Sequence, residues 1–118
     1  MTIVLDGFPA SEGIAAGKIF RLQWGVPFVP HVTVAEDRVE AEVERFHAAR
    51  SWAKTRLLEL KRSTEIRLGP VEARIFEPQI LMLDDVEVVD GTVSYRTENR
   101  ATAERGVERT MLELQALV

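Results

Sequence analysis

The side chains able to do chemistry are few and scattered. The 118 residues hold two histidines, His31 and His47, and no cysteine. His31 lies in the proline-bearing stretch WGVPFVPHV, and His47 follows Phe46 off the apolar seam of its helix, so both read as solvent-facing. Neither stands beside a serine, cysteine or second histidine spaced for nucleophilic catalysis. The acids of DDVEVVD, Asp84 to Asp90, lack the glycine turn and the closing glutamate of a calcium loop. Carboxylates in that position suit a helix N-terminus, where the macrodipole stabilises them. SEGIAAG, Ser11 to Gly17, carries neither the P-loop lysine pattern nor a G-x-G-x-x-G fingerprint, and reads as a turn before a close-packed strand. By itself the chain is expected to be catalytically inactive, with no metal or cofactor of its own.

The strongest signal is ARIFEPQILMLDD, Ala73 to Asp85, which is apolar, broken by Pro78 and closed by two aspartates. Phe76, Ile80 and Leu83 form one helical stripe; Ile75, Gln79, Met82 and Val86 form a second on a neighbouring face. A core helix needs one such face. Two readings stay open: a helix buried on both faces, or one whose second face is an acid-bordered partner surface with Met82 as an adaptable contact.

The elements that position this stretch follow from local signals. TIVLDGF and GIAAGKIFRLQ predict two short strands, about 2–8 and 14–23, joined by a turn. Residues 25–32, with Pro27 and Pro30, read as an extended linker. Thr33 and Glu36 have capping-box spacing, so a helix is expected from 33 to 68, roughly 50 Å long. Its seam is Val39, Val43, Phe46, Ala53, Leu57 and Leu60, interrupted by Arg50. Gly69 suits its end and Pro70 the first turn of the next helix, which Pro78 should kink by clashing with the carbonyl of Arg74. Asp84 or Asp85 is expected to cap a helix over about 86–97, weakened by Gly91, and Thr102 to cap a last one. That last helix carries the stripe Val107, Met111, Leu114 and Val118, which runs to the final residue and predicts an unfinished helical part over 33–118. The fold class is thus mostly α, a helical bundle or hairpin with a long first helix, a kinked second one and two N-terminal strands. Apolar surface on the 102–118 helix and the 39–60 seam is expected to drive self-association.

Composition excludes several classes. The net charge of -4 disfavours a general nucleic-acid binder, and no apolar run approaches a membrane span. The N-terminus lacks the basic start and long apolar run of a secretory signal, and the absence of cysteine fits a cytoplasmic location.

Four segments resemble one family. SEGIAAGKIFRL resembles the S-P-G-I-A-x-G-K opening of enzyme I of the bacterial phosphoenolpyruvate-dependent sugar phosphotransferase system. EVERFHAARSWAKTRLLELK resembles that family's first long helix, LGPVEARIFEPQILMLDD its I-F-E-x-H-x-x-M/L-L-x-D segment, and NRATAERGVE the N-A-x-x-A opening of a later helix. The order and spacing agree from about Gly7 onward.

The resemblance implies a fold in two parts. Residues 1–24 would be the first strands of a swivelling α/β domain, and 33–118 a helical subdomain that docks the phosphocarrier protein HPr. The family enzyme moves a phosphoryl group from phosphoenolpyruvate, with magnesium, onto a histidine and then to HPr. That histidine's motif, G-G-x-T/S-S-H, is not in this sequence. By resemblance the docking positions are Met82, Asp85 and Glu87, with Gln79 where the family has histidine, Asp84 beside them, and Arg74 at a usually small position. Glu12, Pro70, Val71 and Pro78 also depart from the family pattern, so the partner is expected to be HPr or a divergent relative. The alternative is a non-enzymatic interaction module that kept the docking fold and lost the transfer chemistry.

Overall fold

The computed structural model describes residues 1–23 and 25–117. Trp24 in the N-terminal stretch and Val118 at the end of the last stripe lie outside the described residues. The described chain is mostly helical: α1 (Val39–Leu68), α2 (Pro70–Ala73), α3 (Glu77–Leu83), α4 (Val86–Asn99) and α5 (Ala103–Ala116). No helix among the described residues is long and apolar enough to cross a membrane.

The two expected N-terminal strands are not formed. Among the described residues up to Ala35, the one β contact is an isolated antiparallel bridge from Thr33 to Ala101. The apolar side chains of both runs, Ile3, Val4, Leu5, Ile19 and Phe20 among them, stand exposed. Strand propensity is realised only against a partner edge, and a lone pair of strands is marginal in water. No described helix offers such an edge.

The capping box at Thr33 is also unused. A 3-10 turn, Glu36–Arg38, precedes α1, and its cap is Ala35 without a side-chain bond. Tertiary structure takes Thr33 instead: its backbone pairs with Ala101, and the Val34 N–H donates to Arg100 O at 2.8 Å. The far end of α1 follows the local signals. Gly69, at φ 117°, donates to Glu65 O at 3.0 Å, and Pro70 opens α2. The expected kink falls one turn before Pro78, as a 3-10 stretch over Arg74–Phe76. Pro78 then occupies the first turn of α3, where its missing N–H costs nothing.

Asp85 caps α4, its Oδ1 accepting from Glu87 N–H at 2.8 Å and Val88 N–H at 3.3 Å. Thr102 caps α5 by accepting from Arg105 N–H. Between them Arg100 turns the chain in the left-handed region, φ 50°. Gly91 faces Thr110 and Arg96 faces Gly106, a register that makes α4 and α5 an antiparallel hairpin. A Cβ on Gly106 would lie 2.5 Å from Arg96 Cγ, and one on Gly91 would lie 3.0 Å from Thr110 Cγ2. Gly91 therefore serves the crossing rather than merely weakening α4.

The buried centre of this hairpin is small and polar. Thr92 donates to Val88 O at 2.7 Å and lies 3.4 Å from the Thr110 hydroxyl. Arg96 is wholly buried, and its Nε, Nη1 and Nη2 find no hydrogen-bond partner among the protein atoms. Burial pushes its pKa down; Glu42 opposes that, while Arg45 adds to it.

An uncompensated buried donor costs about 1–3 kcal/mol. Arg96→Met keeps the buried length and removes three such donors, so it is expected to raise stability by about 1–3 kcal/mol. Gly106→Ala forces the Arg96 stem aside and is expected to cost about 1–3 kcal/mol. Urea unfolding of both variants checks the pair, read as opposite shifts of the midpoint at constant m-value.

Candidate functional site

Helix α3 settles the two-faced stretch. Phe76, Ile80 and Leu83 are half-buried, and α1 lies alongside: Arg50 Nη1 donates to Leu83 O at 3.3 Å, and Lys61 pairs with Glu77 at 2.9 Å. The second face stays open, with Ile75, Gln79, Met82 and Val86 all exposed. Arg50, which interrupts the apolar seam, thus satisfies the last carbonyl of α3.

The open face continues into a groove of about 630 Å³ between α3, α4 and α5. Leu81, Met82, Met111 and Leu114 make it apolar, while Asp85 and Glu87 place acids at its edge. Leu81 is 70% exposed and Met82 52%, so the apolar lining is accessible. Of the residues singled out from sequence, the fold brings Met82, Asp85 and Glu87 into this groove and leaves Arg74, Gln79 and Asp84 outside its lining. Asp84 turns the other way and forms an ion pair with Lys54 on α1. Asp85 is partly committed, since its Oδ1 is the α4 cap.

Sequence reasoning missed Leu81, Met111 and Leu114 as part of this surface. Met111 and Leu114 were visible as the α5 stripe, but a stripe signals burial without saying against what. The α5 wall is held by charge. Arg45 on α1 grips Glu104 on α5 through two parallel bonds, 2.7 and 2.6 Å, and binds Glu42 at 3.1 and 2.9 Å. Glu42 Oε2 also accepts the first N–H of α5, from Ala103, at 2.8 Å. This cap comes from another helix, so no local motif announces it.

A second groove, about 550 Å³, runs between α1 and α5 beside the N-terminal stretch. Phe46, Ala49, Val107, Met111 and Leu112 line it, with Val26, Pro27 and Val29 along one side. It therefore joins the two surfaces expected to self-associate. Neither histidine enters a catalytic arrangement. His31 Nε2 lies 3.5 Å from Glu108, and His47 is half-buried with its ring tilted against Phe46, rather than fully solvent-facing. Among the described residues no three histidine or carboxylate side chains are grouped to hold a metal ion, so no step through magnesium is derived for this chain.

The chain is similar to known proteins over most of its length. The family model for the PEP-utilising enzyme, N-terminal, matches residues 6–118. The phosphoenolpyruvate-protein phosphotransferase of Priestia megaterium is 35% identical over 108 residues, covering 92% of this chain and 18% of that protein. Its counterpart in Geobacillus stearothermophilus shows the same identity and coverage, and that of Haemophilus influenzae is 31% identical over 100 residues, 85% of this chain and 17% of that protein. The chain thus spans under a fifth of the length of these curated relatives. No solved structure matches it.

The charge staple has a pH signature. The Arg45 guanidinium holds both the Glu42 and the Glu104 carboxyl below their ordinary value near 4.5. A carboxylate whose pKa is depressed by folding stabilises the fold above its unfolded pKa and loses that contribution as pH falls through the folded one. Stability is therefore expected to hold above pH 4.5 and decline below it. Glu42→Gln should flatten that decline while lowering stability at neutral pH, as read from urea midpoints between pH 7 and pH 3.

Proposed function

The chain belongs to the PEP-utilising enzyme N-terminal family, and we propose that it is the carrier-docking part of a phosphoenolpyruvate–protein phosphotransferase. In this reading the α3–α4–α5 groove receives a small phosphocarrier protein, HPr or a divergent relative, so that a phosphoryl group passes to it from a histidine outside these 118 residues. One observation carries the reading. The groove sets an accessible apolar floor, Leu81, Met82, Met111 and Leu114, directly against the acids Asp85 and Glu87. Desolvated apolar contact sets the lifetime of such a complex, and acids at the rim steer a basic partner toward it. Two methionines in the floor suit a partner of imperfect fit.

The acids differ as probes. Asp85 caps α4, so a lysine there would damage the helix as well as the charge. Asp85→Asn keeps a capping oxygen and removes the charge. Glu87 is exposed, and the α4 cap uses its backbone N–H rather than its carboxylate, so Glu87→Lys is the cleaner reversal. Titrating a labelled chain with a basic phosphocarrier should shift amides over 81–88 and 111–115. Met82→Ala is expected to weaken binding about tenfold, ~1.4 kcal/mol, mostly through the off-rate. Glu87→Lys should slow association and reduce its salt dependence. Shifts confined to 39–60, with none over 81–88, would overturn the assignment.

We further propose that the α1–α5 groove mediates self-association of the isolated chain. The support is its open apolar lining, in which Leu112 is 50% exposed. Sedimentation equilibrium is expected to show a monomer–dimer equilibrium at micromolar concentration, moved to monomer by Leu112→Glu. A wild-type chain that stays monomeric there would end this proposal and leave the docking reading standing.

A further inference from the structure

The far end of the α4–α5 hairpin holds a different kind of cleft. Where the 31–33 stretch crosses the turn between the helices, a pocket of about 260 Å³ is lined by His31, Thr33, Tyr95, Asn99 and Arg105, with Val32 and Ala101 as its apolar members. That volume lies below the usual range for drug-sized ligands, so the occupant is small. Five of the seven lining side chains can donate a hydrogen bond, and none is a carboxylate. This stands out in a chain with more acids than bases.

Two further features indicate what the cleft selects. Its walls are fastened: the Thr33–Ala101 bridge and the bond from Val34 N–H to Arg100 O hold the linker against the hairpin. Its two basic side chains also converge on one anion. Arg105 forms an ion pair with Glu108, and His31 Nε2 lies 3.5 Å from the same carboxylate. Glu108 is not in the lining, so the protein's own carboxylate engages both heads from beside the cleft. An arginine fork with an imidazole, two hydroxyls and an amide, drawn from three segments, suits a tetrahedral anion with several oxygens better than a two-oxygen carboxylate.

We infer that this cleft is a binding site for a small oxyanion of the phosphate type, held by Arg105 and His31 in competition with Glu108. The site does not depend on the docking reading. It lies at the C-terminal end of α4, roughly 20 Å along the helix from Asp85 at ~1.5 Å per residue. A ligand here would tie the N-terminal stretch to the helical part.

The test uses the whole chain, isotope-labelled, titrated with inorganic phosphate at constant ionic strength, with acetate in a parallel arm. Phosphate is expected to produce saturable amide shifts confined to residues 31–33 and 95–105. Arg105→Leu should weaken binding at least tenfold. His31→Ala, at an exposed position outside the helices, should weaken it several-fold. Glu108→Gln should tighten it several-fold by removing the competing charge. Absence of saturable shifts, equal shifts with acetate, or weaker binding by Glu108→Gln would each overturn the inference.

Discussion

The helical part turns on the close approach of α4 and α5 at Gly106. The stem of Arg96 fills the space that a Cβ there would need, and Thr92 and Thr110 meet one turn further along. Small residues let two backbones come close, and that proximity fixes the register of the hairpin. Both open surfaces inherit that register. The apolar groove opens at the end where α4 begins, and the polar cleft lies at the end where the hairpin turns. The hairpin meets α1 through charge as well as packing: Arg45 binds two carboxylates, and one of those caps α5.

Arg96 shows the tension in this arrangement. Its guanidinium is buried without partners, near an ion cluster in which Arg45 already occupies both glutamates. Such a residue opposes stability while its aliphatic stem fills the crossing. The fold thus combines a costly charge at its centre with apolar faces left open at its edges.

The site was half legible. Met82, Asp85 and Glu87 flank the start of a helix whose cap is written in the sequence, so their neighbourhood follows from local geometry. Asp84 adjoins them in sequence, yet one residue along a turn reverses direction, and Lys54 draws it to the opposite side. Met111 and Leu114 read as a core stripe, and they are part of the groove because the described fold covers them only in part.

The sequence by itself determined where α1 ends and where α2, α4 and α5 begin. Gly69–Pro70, Asp85 and Thr102 all act at those boundaries, because capping and backbone preference are settled within a few residues. It equally determined the break before Pro78, through a clash four residues back. Only the tertiary structure decided the rest. Thr33 left its capping box to pair with Ala101, the strand-like runs found no edge, and Arg96 was buried beneath a glycine on another helix. The physical reason is common to all three. Burial and sheet pairing are relations between segments distant in sequence, so their outcome depends on which surfaces meet and not on the residues of either segment alone.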